Sequence, residues 1–70
     1  MKTFLAYRYL TGGDDAAFCH KVTHALGQGW NLRGETAFAF DAAAGEMRCG
    51  QAVTKEVAAP YAPDARLAEL

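Results

Sequence analysis

His20 and His24 stand one helical turn apart, the spacing at which two imidazoles on one helix can grip a metal ion, and they are the only histidines in the chain. A tetrahedral zinc site needs a third protein ligand and usually a fourth. No further histidine exists to supply one, and Cys19 and Cys49, the two cysteines, read as core thiols. The expectation is two solvated imidazoles, no metal and no cofactor. Cys19 next to His20 does not make a nucleophile with its base, because consecutive residues point to different sides of a helix. Thr11-Gly12-Gly13 falls where phosphate-binding loops fall, between a strand and a helix N-terminus. Asp14 and Asp15 then bring negative charge to that helix end and would repel a phosphate. Glu35, Asp41, Glu46 and Glu56 lie at strand ends or on a strand surface, with no spacing that implies shared acid-base work. No residue set identifies a reaction, so no catalytic residue is assigned and an enzyme is not the favoured reading.

The remaining polar candidates sit on the third strand. Gln51 and Lys55 share a side with Met47, Cys49 and Val53, which turns Gln51 toward the core, where a glutamine must find hydrogen-bond partners. Structural use is favoured, such as tying down the connection Asn31 to Gly34. If a ligand pocket exists, Gln51, Lys55, Tyr7 and Tyr9 are its candidate lining, in a site that closes only between subunits. Trp30 reads as a lid over the helix end.

The chain has 70 residues, 51% of them hydrophobic and 21% charged, with a net charge of -1. That describes one small globular domain with room for one helix against one sheet, marginal as a monomer, so a partner subunit is expected. Lys2, Arg8, Lys21, Arg33, Arg48, Lys55 and Arg66 are scattered and form no basic stripe for nucleic acid. The start, MKTFLAYRYL, lacks the apolar run and cleavage site of a signal peptide, and no stretch approaches the ~18 apolar residues of a membrane span. A cytoplasmic protein is expected, with both thiols reduced.

These residues need elements to position them. Asp14 to Gln28 is the one long helix: Phe18, Val22, Ala25 and Leu26 recur at spacings of three and four, and Cys19 lies beside them. Thr11 has capping-box spacing to Asp14, and Gly29 suits the left-handed position that turns Trp30 back over Ala25 and Leu26. Phe4 to Leu10 reads as the first strand, Glu35 to Asp41 as the second, and Glu46 to Val57 as the third, with Asp41 to Gly45 as a hairpin loop between the last two. Gly50 marks a bulge or the close approach of another backbone. After Val57, Pro60 and Pro63 end the strand, and residues 58–70 form a tail or a short helix. The fold class is therefore α+β: a single β-α-β-β domain over residues 1–57 with a three-stranded antiparallel sheet, order 1-3-2, and one helix on one face. That is half of a ferredoxin-like arrangement. The expected core is Leu5, Tyr7, Tyr9, Phe18, Val22, Leu26, Trp30, Phe38, Phe40, Met47, Cys49 and Val53.

An ordered run of residues, Tyr7-Arg8-Tyr9-Leu10-Thr11-Gly12, Asp14-Asp15, Phe18-Cys19-His20, Val22-Thr23, Ala25-Leu26, Gly29-Trp30, Gly34, Gly50-Gln51-Ala52 and Lys55-Glu56, resembles the small bacterial Domain of Unknown Function 1737 family. The resemblance covers residues 2 to 57 and implies a stand-alone small domain, with no activity or catalytic set to carry over. Gly13 departs from the proline expected there. His24 and the tail after Val57 lie outside the shared pattern.

Placing Arg8 and Arg48 away from the helix puts Phe4, Ala6 and Leu10 of strand one on the open face of the sheet, beside Ala37 and Ala39 of strand two and Gly50, Ala52 and Thr54 of strand three. Such a patch usually marks an interaction site, and a symmetric pairing is the commonest cover. A homodimer through this face is expected, with the tail residues Tyr61, Leu67 and Leu70 as the competing cover. The favoured function is a self-associating structural or protein-interaction module. The alternative is a small-ligand binder or enzyme whose site forms between subunits.

Overall fold

The computed structural model describes residues 2–70; Met1, the first residue of the expected 1–57 unit, lies outside the described residues. Along the chain run β1 (Phe4–Gly13), α1 (Ala16–Gly27), β2 (Asn31–Asp41), β3 (Glu46–Val57) and a 3-10 turn, Leu67–Glu69. β3 pairs antiparallel with both other strands, so the sheet has the order β1-β3-β2 and the fold is α+β as expected. Two strands extend further than their propensities indicate. β1 continues through Thr11-Gly12-Gly13, because these residues pair with Gly50, Cys49 and Arg48. β2 already begins at Asn31, opposite Thr54. Backbone pairing with a central strand overrides local turn preference there.

Asp15 is the cap of α1, its carboxylate accepting the Phe18 N–H at 3.1 Å. The expected capping role of Thr11 is not realised, since Thr11 belongs to β1; its carbonyl instead accepts the Lys21 Nζ at 2.6 Å. At the other end the Trp30 N–H bonds the Ala25 carbonyl at 3.1 Å and the Gly29 N–H bonds the Leu26 carbonyl at 3.2 Å. With Gly29 at φ +96°, this is the paired bonding of a Schellman stop, a conformation that a side chain at residue 29 would strain. It turns Trp30 back against the helix, as the sequence indicates.

The core consists of Ala6, Leu10, Phe18, Ala25, Trp30, Cys49 and Val53, with Phe4, Val22, Val57, Leu67 and Leu70 partly buried against it. Of the expected core, Phe18, Trp30, Cys49 and Val53 are buried. Strand one is reversed. Ala6 and Leu10 lie under the helix, while Leu5, Tyr7 and Tyr9 are 60%, 54% and 50% exposed on the opposite face. The cause is Arg8, whose guanidinium lies 5.2 Å from the centroid of the Trp30 ring. A cation over an indole, with its stem along apolar surface, is comfortable on a core face. Phe38, Phe40 and Met47 share the helix side with Cys49 through the register Phe38↔Cys49 and Phe40↔Met47, yet stay exposed. α1 packs chiefly on β1 and does not shelter them. Leu26 is also exposed, and Ala25 occupies the buried helix position instead.

The tail docks on the same side as the helix. Tyr61 meets Phe4 edge-on at 5.5 Å between ring centroids, and Leu67 and Leu70 pack on the core. It thus covers the part of β1 that α1 leaves free, and not the open face, for which the sequence offers it as the competing cover.

Candidate functional site

The open face is built from every second residue of the three strands. Tyr7 pairs with Thr54, Tyr9 with Ala52 and Thr11 with Gly50, while Ala37 and Ala39 lie opposite Gly50 and Arg48 on the other side. A Cβ at Gly50 would stand 2.2 Å from the Tyr9 hydroxyl oxygen and 2.5 Å from Cζ. The Tyr9 ring therefore lies across Gly50, so the close approach at this glycine is made by a side chain and not by the backbone expected. Beside it is an open hollow of about 310 Å³, whose lining includes Tyr9, Thr11, Ala37, Ala39, Arg48 and Gly50. Arg48 at its rim pairs with Glu46 at 3.5 Å and Asp41 at 3.8 Å. Phe4, Ala6 and Leu10, expected as interface residues here, are replaced on this face by Leu5, Tyr7 and Tyr9.

Gln51 is buried on the helix side. Its Nε2 donates to the carbonyls of Arg33 and Gly34, each at 3.3 Å, and of Ala52 at 2.9 Å, while its Oε1 accepts the Thr36 hydroxyl at 2.6 Å. The reason is local. Between the pairs Arg33↔Ala52 and Ala37↔Gly50 the β2 register shifts, a bulge with Gly34 at φ +69°. A bulge leaves ladder groups unpaired, and the Gln51 amide satisfies them.

Lys55 is committed as well. Its Nζ donates to the Gln28 carbonyl at 2.8 Å at the negative end of α1 and to the main-chain oxygen of Leu70, and lies 5.9 Å from the Trp30 ring centroid. Gln51 and Lys55 thus share the helix side, and Tyr7 and Tyr9 share the other, so the four do not line one pocket.

A second hollow, of about 280 Å³, runs between α1 and β2 and is lined by Phe18, Cys19, Val22, Thr23, Leu32, Thr36 and Gln51. Cys19 is free and exposed there, contrary to the core position expected for it, because Phe18 and Val22 take the buried helix stripe. Cys49 is free and buried. Burial pushes its thiol above the usual range, with the charge of Asp14 acting the same way. A thiol so placed is a poor nucleophile. His20 and His24 are exposed on α1, and among the described residues no three His, Cys, Asp or Glu side chains converge. No helix among the described residues is long and apolar enough to cross a membrane.

Sequence reasoning missed the hollow beside Tyr9 and the Trp30 partners, Arg8 and Lys55. The Tyr9–Gly50 contact had a legible signal, a glycine inside a strand. The other contacts depend on register and had none. Against known proteins, residues 4–56 match the family described as Domain of unknown function (DUF1737). No curated protein and no solved structure matches the chain.

Proposed function

Since the chain belongs to the DUF1737 family, a membership that brings no activity with it, we propose from its surface that it is a self-associating interaction module, a homodimer formed through the open face of the sheet. The observation that carries this reading is the row Leu5, Tyr7 and Tyr9, each at least half exposed on a face floored by Gly50 and Ala52 and flanked by Ala37 and Ala39. Tyrosines supply large rigid contact area, and small residues beside them let a second backbone layer approach. A second copy presents the same face, which suits a two-fold contact. The free thiols fit a reducing, cytoplasmic setting.

Sedimentation equilibrium tests the reading. Wild type is expected to associate with rising concentration, and Tyr7→Glu or Ala52→Glu to associate less than wild type at each concentration while keeping its circular dichroism. A monomeric wild type at high concentration overturns it, and so does association that neither substitution weakens. The hollow beside Tyr9 favours one second reading, a small-ligand site roofed by the second copy, with Arg48 as its charged group. That reading requires the dimer.

A further inference from the structure

β2 is an edge strand, hydrogen-bonded on one side only, to β3. Natural sheets protect such an edge with lysine, proline, a bulge or a covering element. β2 has neither lysine nor proline, and every residue from Asn31 to Phe40 is exposed. Its safeguards are the bulge between Arg33 and Ala37, which interrupts the edge, and the charges of Arg33, Glu35 and Asp41, none of which lies within Ala37–Phe40. Beyond the bulge, Ala37–Asp41 is a regular stretch in unbroken register with Gly50–Glu46, and nothing among the described residues shields it. Its side chains alternate, Phe38 and Phe40 on the helix side at 61% and 63% exposure, Ala37 and Ala39 on the open face.

We propose that Ala37–Asp41 pairs antiparallel with the same stretch of a second copy of this chain, about a two-fold axis through Ala39. In this register Phe38 of each copy faces Phe40 of the other, giving two aromatic cross-strand pairs, and Asp41 faces Ala37. The neighbouring registers are worse. An axis through Phe38 runs Phe40 and Asp41 against Thr36 and Glu35 of the second copy, inside the bulge where the strand is not regular. An axis through Phe40 sets Phe38 against Ala42, which lies in the turn beyond the strand. A slip of a single residue turns the second copy's alternation over, facing phenylalanine with alanine. The chosen register joins two three-stranded sheets into one continuous sheet with the β2 strands at its centre. It uses the edge and leaves Leu5, Tyr7 and Tyr9 untouched, so it is independent of pairing through the open face.

Disulfide trapping tests this. In a Cys19→Ala, Cys49→Ala background, which removes both native thiols, including the one that Phe38 directly faces on β3, Phe38→Cys and Phe40→Cys proteins are oxidised separately and as an equal mixture. Directly opposed residues come within about 4.5–5.5 Å between Cα atoms, inside disulfide reach. Like positions are offset by two residues on each strand, roughly 8 Å apart, and are out of reach. Both phenylalanines are mostly exposed, so neither change empties the core. The expected result is a disulfide-linked dimer in the mixture and little in either protein alone. It should persist when Tyr7→Glu is added, which disables the open face alone. Absence of the mixed dimer, equal cross-linking in all three samples, or its loss with Tyr7→Glu would each overturn the edge pairing. None of these outcomes decides whether the open face pairs, which is read separately by the sedimentation difference between wild type and Tyr7→Glu.

Discussion

Gln51 holds the bulged edge of the sheet to its centre, and its chemistry makes it sensitive to charge. The amide donates to the carbonyls of Arg33 and Gly34 while accepting from Thr36, so a carboxylate in its place would oppose acceptor to acceptor. Gln51→Glu should cost about 1–3 kcal/mol at neutral pH, the range for an unsatisfied buried polar group. The carboxyl in the folded state would hold its proton more firmly than in the unfolded chain, so the loss should appear as pH rises above about 4 and shrink below it. Urea unfolding at several pH values checks this, and a cost independent of pH would contradict the donor assignment. The side and the task of Gln51 were legible, because strand alternation turned a polar residue inward and such a residue must find partners. Thr36 was not legible as one of them, because the bulge that aims it depends on register with β3. Arg8 was misread for a related reason. β1 is apolar on both faces, and the Trp30 ring that accommodates the guanidinium arrives from the far end of the helix.

The ends of α1 are local chemistry, and there the sequence spoke most clearly. Gly29 and Trp30 fulfil the stop it announces, and the start is right to within the choice of cap. Asp15 accepts the Phe18 N–H, so Asp15→Ala should lose about 0.5–2 kcal/mol, and Asp14→Ala, which removes no cap, should lose less. Thermal and urea denaturation of the pair decide which aspartate caps. The strands illustrate the opposite case. Alternation in β2 gave the correct side for Phe38 and Phe40 but not their burial, since burial requires the helix to lie above them. α1 lies nearer β1, a lateral position that no periodicity within one element encodes.

At the scale of the molecule, the helix covers only part of its face, and the tail completes the cover. Tyr61, Leu67 and Leu70 pack on Phe4 and the core, and Lys55 reaches both the end of α1 and Leu70. A chain ending at Ala58 should lose about 1–3 kcal/mol of stability, as expected for partly buried aliphatic side chains, while keeping its state of association. Calorimetry beside sedimentation separates the two effects; dissociation on truncation would mean that the tail takes part in the contact between copies. The prolines told where β3 stops, but the docking of the tail depends on a bare strip of β1 that exists only once α1 is in place. The strand order also has a consequence in time. β1 and β2 never pair with each other; every ladder runs to β3, the last strand to be synthesised. While a ribosome is still adding residues before Glu46, the emerged chain holds two strands with no native partner. Joining Phe4 to Val57 then closes nearly the whole domain in one non-local step, the slow kind. Completion of β3 is therefore the event that commits the chain to its fold, and before it the strands are open to wrong partners.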